Sequence, residues 1–384
     1  MEYTATNLSE LVRVPSLCGK EEELIHRLTR MLKGAGFEVV RVDGLGNLIG
    51  RVGEGEKVIA IDAHVDTVSE GDRARWDLDP FSGEVSNGYV WGRGSVDQKG
   101  GAASMITAGR ILTELNYTGD YTLYFTFTIM EEDCEGLCWN YLIEKEKLVP
   151  DCVVITEPTN LGVYRGHRGR MEIELHFTGL SSHGSAPERG INAIYRASDA
   201  VQRIRDLSGN LREDNFLGKG SVAVTQISSQ SPSLCSIPDR CMIHLDRRLT
   251  WGETLSSVLE EVSGLKGKDV TIEVPVYETE SYRGTHYSQK KYYPTWKIPE
   301  DHVLVRSGVK AYTLLYEVEP VVGKWAFSTN GVSICGTHGI PAIGFGPGDE
   351  VFAHAPNERV PVEDLVKASA FYALLPYVLE DASF

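Results

Sequence analysis

The sequence predicts an α/β fold into which a second, ferredoxin-like α+β domain is inserted. The chain has 384 residues, which exceeds the roughly 250 to 300 residues that one hydrophobic core usually serves. Three apolar segments, each followed by acidic or imidazole side chains, alternate with helical patterns, as is typical of α/β sheets. From about residue 171 the pattern changes to strand, helix, strand, strand, helix, strand, which is the order of a ferredoxin-like unit.

The first 66 residues predict two helices followed by three strands. Helical periodicity covers residues 5–13 and 20–35, and strands are predicted at 37–42, 48–52 and 58–63. The third strand is a short apolar run that suits burial on both faces. It leads to His64 and Asp66, and these two side chains point the same way because they lie two residues apart on an extended chain.

Two later strands repeat this placement of polar groups after an apolar segment. Residues 121–130 lead to Glu131 and Glu132, and residues 151–156 lead to Glu157. A loop at 67–101 becomes Gly-rich near its end, where it carries Asp97 just before a helix predicted at about 102–115. Because the carboxyl ends of parallel strands meet at one edge of a sheet, we expect these groups to form a single site.

The second half of the chain supplies the inserted domain and then returns to α/β character. Residues 283–299, rich in Tyr, Lys and Pro, are predicted to be a connecting or substrate-facing loop. The expected domains are residues 1–170 plus 283–384, and residues 171–282. The inserted domain comprises strands at 172–178, 221–228, 240–249 and 270–276 and helices at 192–207 and 253–265. The α/β segment that follows it comprises a helix near 302–316, a strand at 342–346, His354 and a helix at 362–379.

Composition argues against several classes of protein. The 38 basic and 54 acidic residues give a formal charge of -16 without a basic block, so we expect no nucleic-acid partner. No apolar run approaches the roughly 18 residues of a membrane span, and the first residues do not resemble a secretory signal. We therefore expect a cytoplasmic protein that does not insert into membranes. Seven scattered cysteines do not suggest a disulfide framework.

The groups at strand ends and in loops make a set of two imidazoles and several carboxylates. Such a set suits two zinc-like ions, because a carboxylate can bridge two ions, an imidazole can fix each of them, and one further acid can transfer protons. Each acid alone is more often a solvated helix cap, but their shared placement favours metal binding. The members are His64, Asp66, Asp97, Glu131, Glu132, Glu157 and His354.

The same residues carry a resemblance to a known family over nearly the whole chain. The matching segments, in order, are Pro15-Ser16, His64-Val65-Asp66, the run from Trp91 to Gly101, Glu131-Glu132, Glu157-Pro158, Ser182-His183-Gly184 and His354-Ala355-Pro356-Asn357-Glu358. They resemble the metallopeptidase and deacylase family of aminoacylases, acetylornithine deacetylase, succinyl-diaminopimelate desuccinylase and glutamate carboxypeptidases. Within that family the chain resembles a bacterial branch of hydrolases linked to selenium metabolism. The resemblance implies a di-metal, aminopeptidase-like catalytic domain and an inserted domain that acts as a lid and pairs two chains into a homodimer.

The resemblance also implies a role for each member of the metal site. His64 and Glu157 would hold one ion, Glu132 and His354 the other, and Asp97 would bridge both. Zinc is the first expectation, with cobalt or manganese as alternatives. Asp66 would brace the imidazole of His64, and Glu131 would be the general base. Relatives bend the chain next to the bridging carboxylate, so we expect a cis peptide between Asp97 and Gln98.

Three further residues are implied to contact substrate. His183 would reach the site from the inserted domain, in relatives often across a dimer, and stabilise the oxyanion of the tetrahedral state. Arg248, in Asp246-Arg247-Arg248, would grip a substrate carboxylate, although pairing with a neighbouring acid on the lid is the alternative. Asn330 lies where many relatives have Asp, and Cys235 lies where many relatives have Asn. Both positions are near the expected substrate pocket.

The resemblance implies hydrolysis of an amide bond, through a metal-bridging water, in a small N-acylated amino acid or a related carboxylate. A dipeptidase or aminopeptidase on the same site is the alternative, and the two differ in whether the pocket accepts a free amine. A third hypothesis is a metal-binding protein that has lost catalysis. That hypothesis predicts a missing ligand or base, and the sequence contains all of them.

Overall fold

The computed structural model describes residues 1–265, 267 and 269–380. Within that part of the chain, no helix is long and apolar enough to cross a membrane. The α-helices are α1 (Glu2–Val12), α2 (Glu22–Gly34), α3 (Lys99–Glu114), α4 (Leu137–Glu144), α5 (Ala193–Leu207), α6 (Leu255–Leu265), α7 (Val303–Tyr316) and α8 (Val362–Glu380).

The strands form one large mixed sheet, one antiparallel sheet and several short pairs. They are β1 (Val39–Val42), β2 (Leu48–Val52), β3 (Lys57–His64), β4 (Val85–Ser86), β5 (Tyr89–Trp91), β6 (Tyr121–Thr128), β7 (Cys152–Ile155), β8 (Val163–Tyr164), β9 (Gly166–His167), β10 (Gly169–Thr178), β11 (Glu213–Asp214), β12 (Gly218–Lys219), β13 (Ser221–Gln230), β14 (Arg240–Leu249), β15 (Val270–Glu273), β16 (Val276–Glu280), β17 (His286–Lys290), β18 (Tyr292–Tyr293), β19 (Trp296–Lys297), β20 (Val322–Gly323), β21 (Ala342–Gly344) and β22 (Arg359–Pro361).

The large sheet has the strand order β1-β2-β6-β3-β7-β21-β8-β20. Its centre is parallel, because β3 pairs in parallel with both β6 and β7, and β7 pairs in parallel with β21. The last six residues of β3 and all four residues of β7 are buried, as expected for apolar strands covered on both faces. Helices α1, α3, α7 and α8 pack together, and α3 also packs on β3. The mixed sheet with its helices confirms the predicted α/β part.

The antiparallel sheet has the order β13-β14-β10-β15, and helix α5 packs on its first three strands. Alternate residues of β10 are buried, because one face of this sheet meets the helices and the other does not. The buried side chains of this unit form a hydrophobic cluster separate from the main core. The order β10, α5, β13, β14, α6, β15 confirms the predicted ferredoxin-like insertion, while the exact division of the chain into domains stays a prediction.

The segment predicted as a loop at 283–299 instead contains three strands. Strand β17 forms a hairpin with β16, in which Val276 lies opposite Lys290, and β18 and β19 pair with β10 and β9. The predicted strand at 270–276 ends at Glu273, two residues before Pro275, because proline cannot donate to a strand ladder. Tyr277, Tyr282 and Tyr287 of the hairpin region pack against the main core. These pairings depend on partners distant in sequence, so local composition does not reveal them.

Candidate metal centre

The polar groups after β3, β6 and β7 meet at one edge of the large sheet. His64 is the last residue of β3, Glu131 and Glu132 follow β6, and Glu157 follows β7. The three strands are parallel neighbours, so their carboxyl ends lie side by side. The Nε2 atom of His64 lies 3.5 Å from Oε1 of Glu157 and 3.9 Å from Oε2 of Glu131. The structure therefore brings together groups that are up to 93 residues apart in the chain, from His64 to Glu157.

The carboxylate of Asp97 lies between two imidazoles. Its Oδ1 atom is 2.9 Å from Nε2 of His64, and its Oδ2 atom is 3.1 Å from Nε2 of His354. The peptide between Asp97 and Gln98 is cis, which confirms the prediction from the sequence. His354 also lies 3.0 Å from Oε2 of Glu132, and its side chain is half exposed. One carboxylate thus connects two groups of ligand atoms, which is the arrangement that a bridge between two ions requires.

The donor atoms of this cluster fit divalent cations. His64, Asp97 and Glu132 offer ligand atoms within 4.8 Å of one another, and so do His64, Glu131 and Glu157. Among the described residues, Oε1 of Glu131 and Oε2 of Glu157 are buried without a hydrogen-bonding partner. Burial raises the pKa of both carboxyl groups well above its usual value, because a buried negative charge lacks the stabilisation that water provides. Imidazole nitrogens and carboxylate oxygens are ligands that zinc and similar ions accept.

Asp66 holds two members of the cluster in place. The Nδ1–H group of His64 donates to the main-chain oxygen of Asp66 at 3.0 Å, and Oδ1 of Asp66 is 3.5 Å from the same nitrogen. Since Nδ1 carries the proton in this hydrogen bond, Nε2, which faces Asp97 and Glu157, is the nitrogen that would bind an ion. The backbone N–H of Glu132 donates to Oδ2 of Asp66 at 3.0 Å. The main-chain oxygen of Asp66 therefore makes the hydrogen bond to His64, and the predicted bracing of the imidazole by the Asp66 carboxylate stays a prediction.

Glu358 fixes the turn that carries Asp97, a role that its place in the His354–Glu358 motif does not reveal. Its Oε1 atom accepts from the backbone N–H groups of Val96 and Asp97, and its Oε2 atom accepts from Nη1 of Arg93 and the N–H of Gly94. Glu358 is fully buried. The only local signal was its position four residues after His354, because the contacts join segments more than 260 residues apart.

The cluster forms the floor of a cavity of about 360 Å³. Arg248 belongs to its wall, and its contact with substrate stays a prediction. Nε and Nη2 of Arg248 also donate to the two carboxylate oxygens of Asp246, at 2.8 and 3.1 Å. The lining residues are Asp97, Glu131, Glu132, Glu135, Glu157, Arg170, Arg248, Phe327, Ser328, Glu350, Ala353 and His354.

Asn330 does not line this cavity. It is buried, and its Nδ2 atom donates to Oδ2 of Asp62 at 2.9 Å and to Oγ1 of Thr128 at 3.2 Å. Its Oδ1 atom accepts from the N–H of Gly136 at 3.0 Å. These bonds occupy the amide, so the structure places Asn330 behind the site, and the expected contact with substrate has no support in its position.

His183 lies on the inserted domain, outside the residues that line the cavity. It is exposed, and its Nδ1 atom contacts Oγ of Ser185 at 2.7 Å. Within one chain the structure therefore does not bring His183 to the cluster. Its predicted role requires a second chain or a movement of the inserted domain.

Comparison with known proteins shows the family. The model of peptidase family M20/M25/M40 matches residues 60–377. The chain is 46% identical over 372 residues to YgeY of Escherichia coli strain K12, an alignment that covers 96% of this chain and 92% of the relative. The chain belongs to peptidase family M20/M25/M40. Membership confirms the family predicted from the motifs and makes the chain a metal-dependent hydrolase.

Further comparisons show an enzyme with a related sequence and two solved structures with the same fold. It is 29% identical over 367 residues to acetylornithine deacetylase of Klebsiella pneumoniae strain 342, covering 91% of this chain and 90% of the relative. Aminopeptidase PepT of Bacillus cereus has the same fold, with a TM-score of 0.76, 22% identity and coverage of 100% and 99% of the two chains. YxeP of Bacillus subtilis, a dinuclear metal-binding peptidase, matches with a TM-score of 0.70, 16% identity and full coverage of both chains. The predicted selenium-linked branch stays a prediction.

Proposed function

We propose that this protein hydrolyses an amide bond in a small N-acylated amino acid or a related carboxylate, at a centre of two divalent ions. The observation that carries the proposal is the carboxylate of Asp97, which reaches toward His64 with one oxygen and His354 with the other. In this proposal His64 and Glu157 would hold one ion, Glu132 and His354 would hold the other, and Asp97 would bridge both. Zinc is the first expectation for the metal, with cobalt or manganese as alternatives.

The ions, when bound, would supply a Lewis acid and lower the pKa of water near the scissile carbonyl. The protein supplies the proton transfer. Glu131 lies beside the ligands, and its Oε1 atom has no hydrogen-bonding partner among the described residues. We assign it the role of general base, which takes a proton from the attacking water and gives it to the nitrogen of the leaving amine. Asp66 acts through His64 and Glu132, so it is a positioning residue.

The alternative is a dipeptidase or aminopeptidase on the same site. Acetylornithine deacetylase among the relatives favours the deacylase, whereas the structures of PepT and YxeP share only the fold at this level of identity. The test is a panel of acyl amino acids, dipeptides and carbamoyl compounds with protein loaded with zinc, cobalt or manganese. Turnover of acyl amino acids supports the deacylase, and turnover of dipeptides alone supports the alternative. No turnover with any metal would contradict both and favour a catalytically silent metal-binding protein.

Arg248→Ala is expected to weaken the capture of substrates with a free carboxylate. Its guanidinium lines the cavity while Asp246 orients it, and a planar guanidinium suits bidentate binding of a carboxylate. We expect kcat/KM to fall roughly 10-fold or more for a carboxylate substrate, and far less for the matching carboxamide. Arg240→Ala, at the exposed start of the same strand, is the control. Equal losses for carboxylate and carboxamide would show that Arg248 only supports the fold.

The inserted domain is proposed to close over the site and to pair two chains into a homodimer. Its strand β13 lies at the edge of the antiparallel sheet, where unpaired backbone groups can pair with another chain. Large apolar side chains are exposed on the same domain, namely Leu180, Ile191, Tyr195, Ile227 and Leu234. An exposed His183 on such a domain could complete the site of a partner.

His183→Ala is therefore expected to lower kcat by about 100-fold, which is the effect of removing one donor to an oxyanion. Metal content and dimer mass should not change. His176→Ala removes another, partly exposed imidazole of the inserted domain and should leave kcat intact. Light scattering from a strictly monomeric, fully active protein would contradict the dimer, and unchanged kcat in His183→Ala would contradict the catalytic role. A cytoplasmic location and the absence of nucleic-acid and membrane partners stay predictions.

A further inference from the structure

The turn from Glu131 to Glu135 carries the proposed base, Glu131, and a proposed metal ligand, Glu132. It lies between β6 and α4. The residues on either side of it have left-handed backbone conformations, with φ of 62° at Met130 and 75° at Gly136. A methionine rarely adopts this conformation, which persists only where neighbouring contacts hold it. The contacts of this turn therefore help to decide where Glu131 and Glu132 point.

Two hydrogen bonds fix the turn from the side of the metal cluster. The N–H of Glu132 donates to Oδ2 of Asp66, and the N–H of Gly136 donates to Oδ1 of Asn330. Residues 133–135, which lie between these two points, take further partners from a distant part of the chain.

The segment 276–293, through which the chain leaves the inserted domain, supplies these partners. It comprises β16, β17 and β18. Three of its side chains each donate one hydrogen bond to the turn. The bonds join Tyr277 to Oδ2 of Asp133 at 3.3 Å, Tyr293 to Sγ of Cys134 at 3.5 Å, and Gln289 to the main-chain oxygen of Glu135 at 3.0 Å. Consecutive residues of the turn are thus held by residues at least 144 positions away.

Gln289 is itself held in place, so its donor group is directed at the turn. Its Oε1 atom accepts from Nδ2 of Asn140 at 2.6 Å, and Oδ1 of Asn140 accepts from Oγ of Ser333 at 2.6 Å. A side-chain amide that is fixed at its oxygen presents its N–H groups in a defined direction. Gln289 is not among the residues that line the cavity, so any effect on catalysis must pass through Glu135 and the turn.

Glu135 is also contacted by the strand through which the chain enters the inserted domain. Nη2 of Arg170, in β10, donates to Oε2 of Glu135 at 2.7 Å, and Oε1 of Glu135 accepts from Oγ of Ser328 at 2.8 Å. Arg170 lies opposite Tyr293 in the pairing of β10 with β18, and its guanidinium lies over the Tyr293 ring. Both connections of the inserted domain therefore contact the turn that carries Glu132.

We propose that the segment 276–293 positions Glu131 and Glu132, and that Gln289 is the positioning residue with the largest effect. The inference rests on the proposed roles of Glu131 and Glu132. Loss of the bond from Gln289 leaves the main-chain oxygen of Glu135 without this donor, so the turn can move and the two glutamates lose their fixed direction. Loss of a residue that orients a metal ligand typically changes metal affinity or activity by about 10- to 100-fold.

The proposal predicts a loss of affinity for one ion and not for both. Glu132 is on the turn, whereas the proposed ligands of the other ion, His64 and Glu157, lie at the end of β3 and after β7. We expect Gln289→Met to raise the Kd of one zinc ion by roughly 10-fold and to leave the other Kd unchanged. The same variant should lower kcat and leave KM nearly unchanged, because Glu131 transfers the proton and does not hold the substrate.

Gln289→Met keeps the length of the side chain and removes its amide. Calorimetric titration of the metal-free protein with zinc measures the Kd of each ion without a substrate. Tyr287→Phe is the matched control, because Tyr287 lies in the same hairpin but donates to Glu144 of α4, at 2.8 Å, and not to the turn. Tyr277→Phe removes one hydroxyl from the turn and should weaken the same ion to a smaller extent. If Gln289→Met does not fold, Tyr277→Phe decides.

Unchanged binding of both ions in Gln289→Met and Tyr277→Phe would overturn the proposal. Equal weakening of both ions, with a thermal unfolding temperature well below that of Tyr287→Phe, would also overturn it, because the hairpin would then only support the fold. Selective weakening of one ion in a protein that cleaves none of the tested amides supports the positioning role, and only the proposed reaction then fails. A wild type that does not bind two ions would contradict the di-metal centre and this inference together.

Discussion

Glu131→Gln should lower turnover by about 100- to 10,000-fold, which is the usual cost of losing a general base, while the metal content stays near two ions per chain. The reason lies in the distances around His64. Its Nε2 atom is 2.9 Å from Asp97 and 3.5 Å from Glu157, but 3.9 Å from Glu131. Glutamine keeps the shape of the side chain, so the ligands on either side should keep their positions. Rapid kinetics and elemental analysis of the same sample measure both quantities.

The control for this variant is Glu363→Gln, which removes the charge of an exposed glutamate that does not line the cavity. It should change neither rate nor metal content. If Glu131→Gln loses its ions, Glu131 is a ligand and not the base. If it keeps a near-normal rate, another group transfers the proton.

Asp97→Ala should remove both ions together. Asp97 is the carboxylate that contacts both imidazoles, so its loss opens both halves of the centre at once. Since the ions contribute several kcal/mol of transition-state stabilisation, we expect turnover to fall by more than about 1,000-fold. Elemental analysis should find less than one ion per chain, whereas Glu131→Gln should retain both.

Circular dichroism and thermal unfolding in the presence of a chelator show whether Asp97→Ala is still folded. Its unfolding should match that of the chelated wild type, because in both proteins the ions no longer stabilise the folded state. Asp72→Ala, an exposed aspartate earlier in the same long segment, is the matched control and should bind both ions. Retention of two ions by Asp97→Ala would contradict the bridging role.

Local patterns were sufficient to locate the groups of the candidate metal centre. Apolar strands that end in acidic or imidazole residues pointed to His64, Glu131, Glu132 and Glu157, because parallel strands must present their carboxyl ends at one edge. The Gly-rich loop added Asp97, and the motif resemblance added the cis peptide that follows it. The order of strands and helices after residue 171 could also be predicted, because a change of hydrophobic period is a local signal.

Features that depend on partners distant in the chain could not be predicted from local sequence patterns. The hairpin of β16 and β17 was predicted in part as a loop, because its polar, tyrosine-rich strands are defined by their pairing with each other and by their contacts with the main core. Asn330 was expected near substrate, but hydrogen bonds to Asp62 and Thr128 hold it behind the site. A side chain's direction is decided by such contacts and not by its neighbours in the chain.

The sequence by itself determined the fold class, the family and the residues that converge on the metal centre, because these follow from periodicity, strand ends and motif order. Only the tertiary structure showed that Glu358 holds the turn before Asp97, and that Arg170 and Arg248 are balanced by acids. The physical reason is that a charge acts on a ligand according to which other charges lie beside it. Some of those neighbours, such as Glu135 beside Arg170, come from other segments of the chain and meet only in the folded protein.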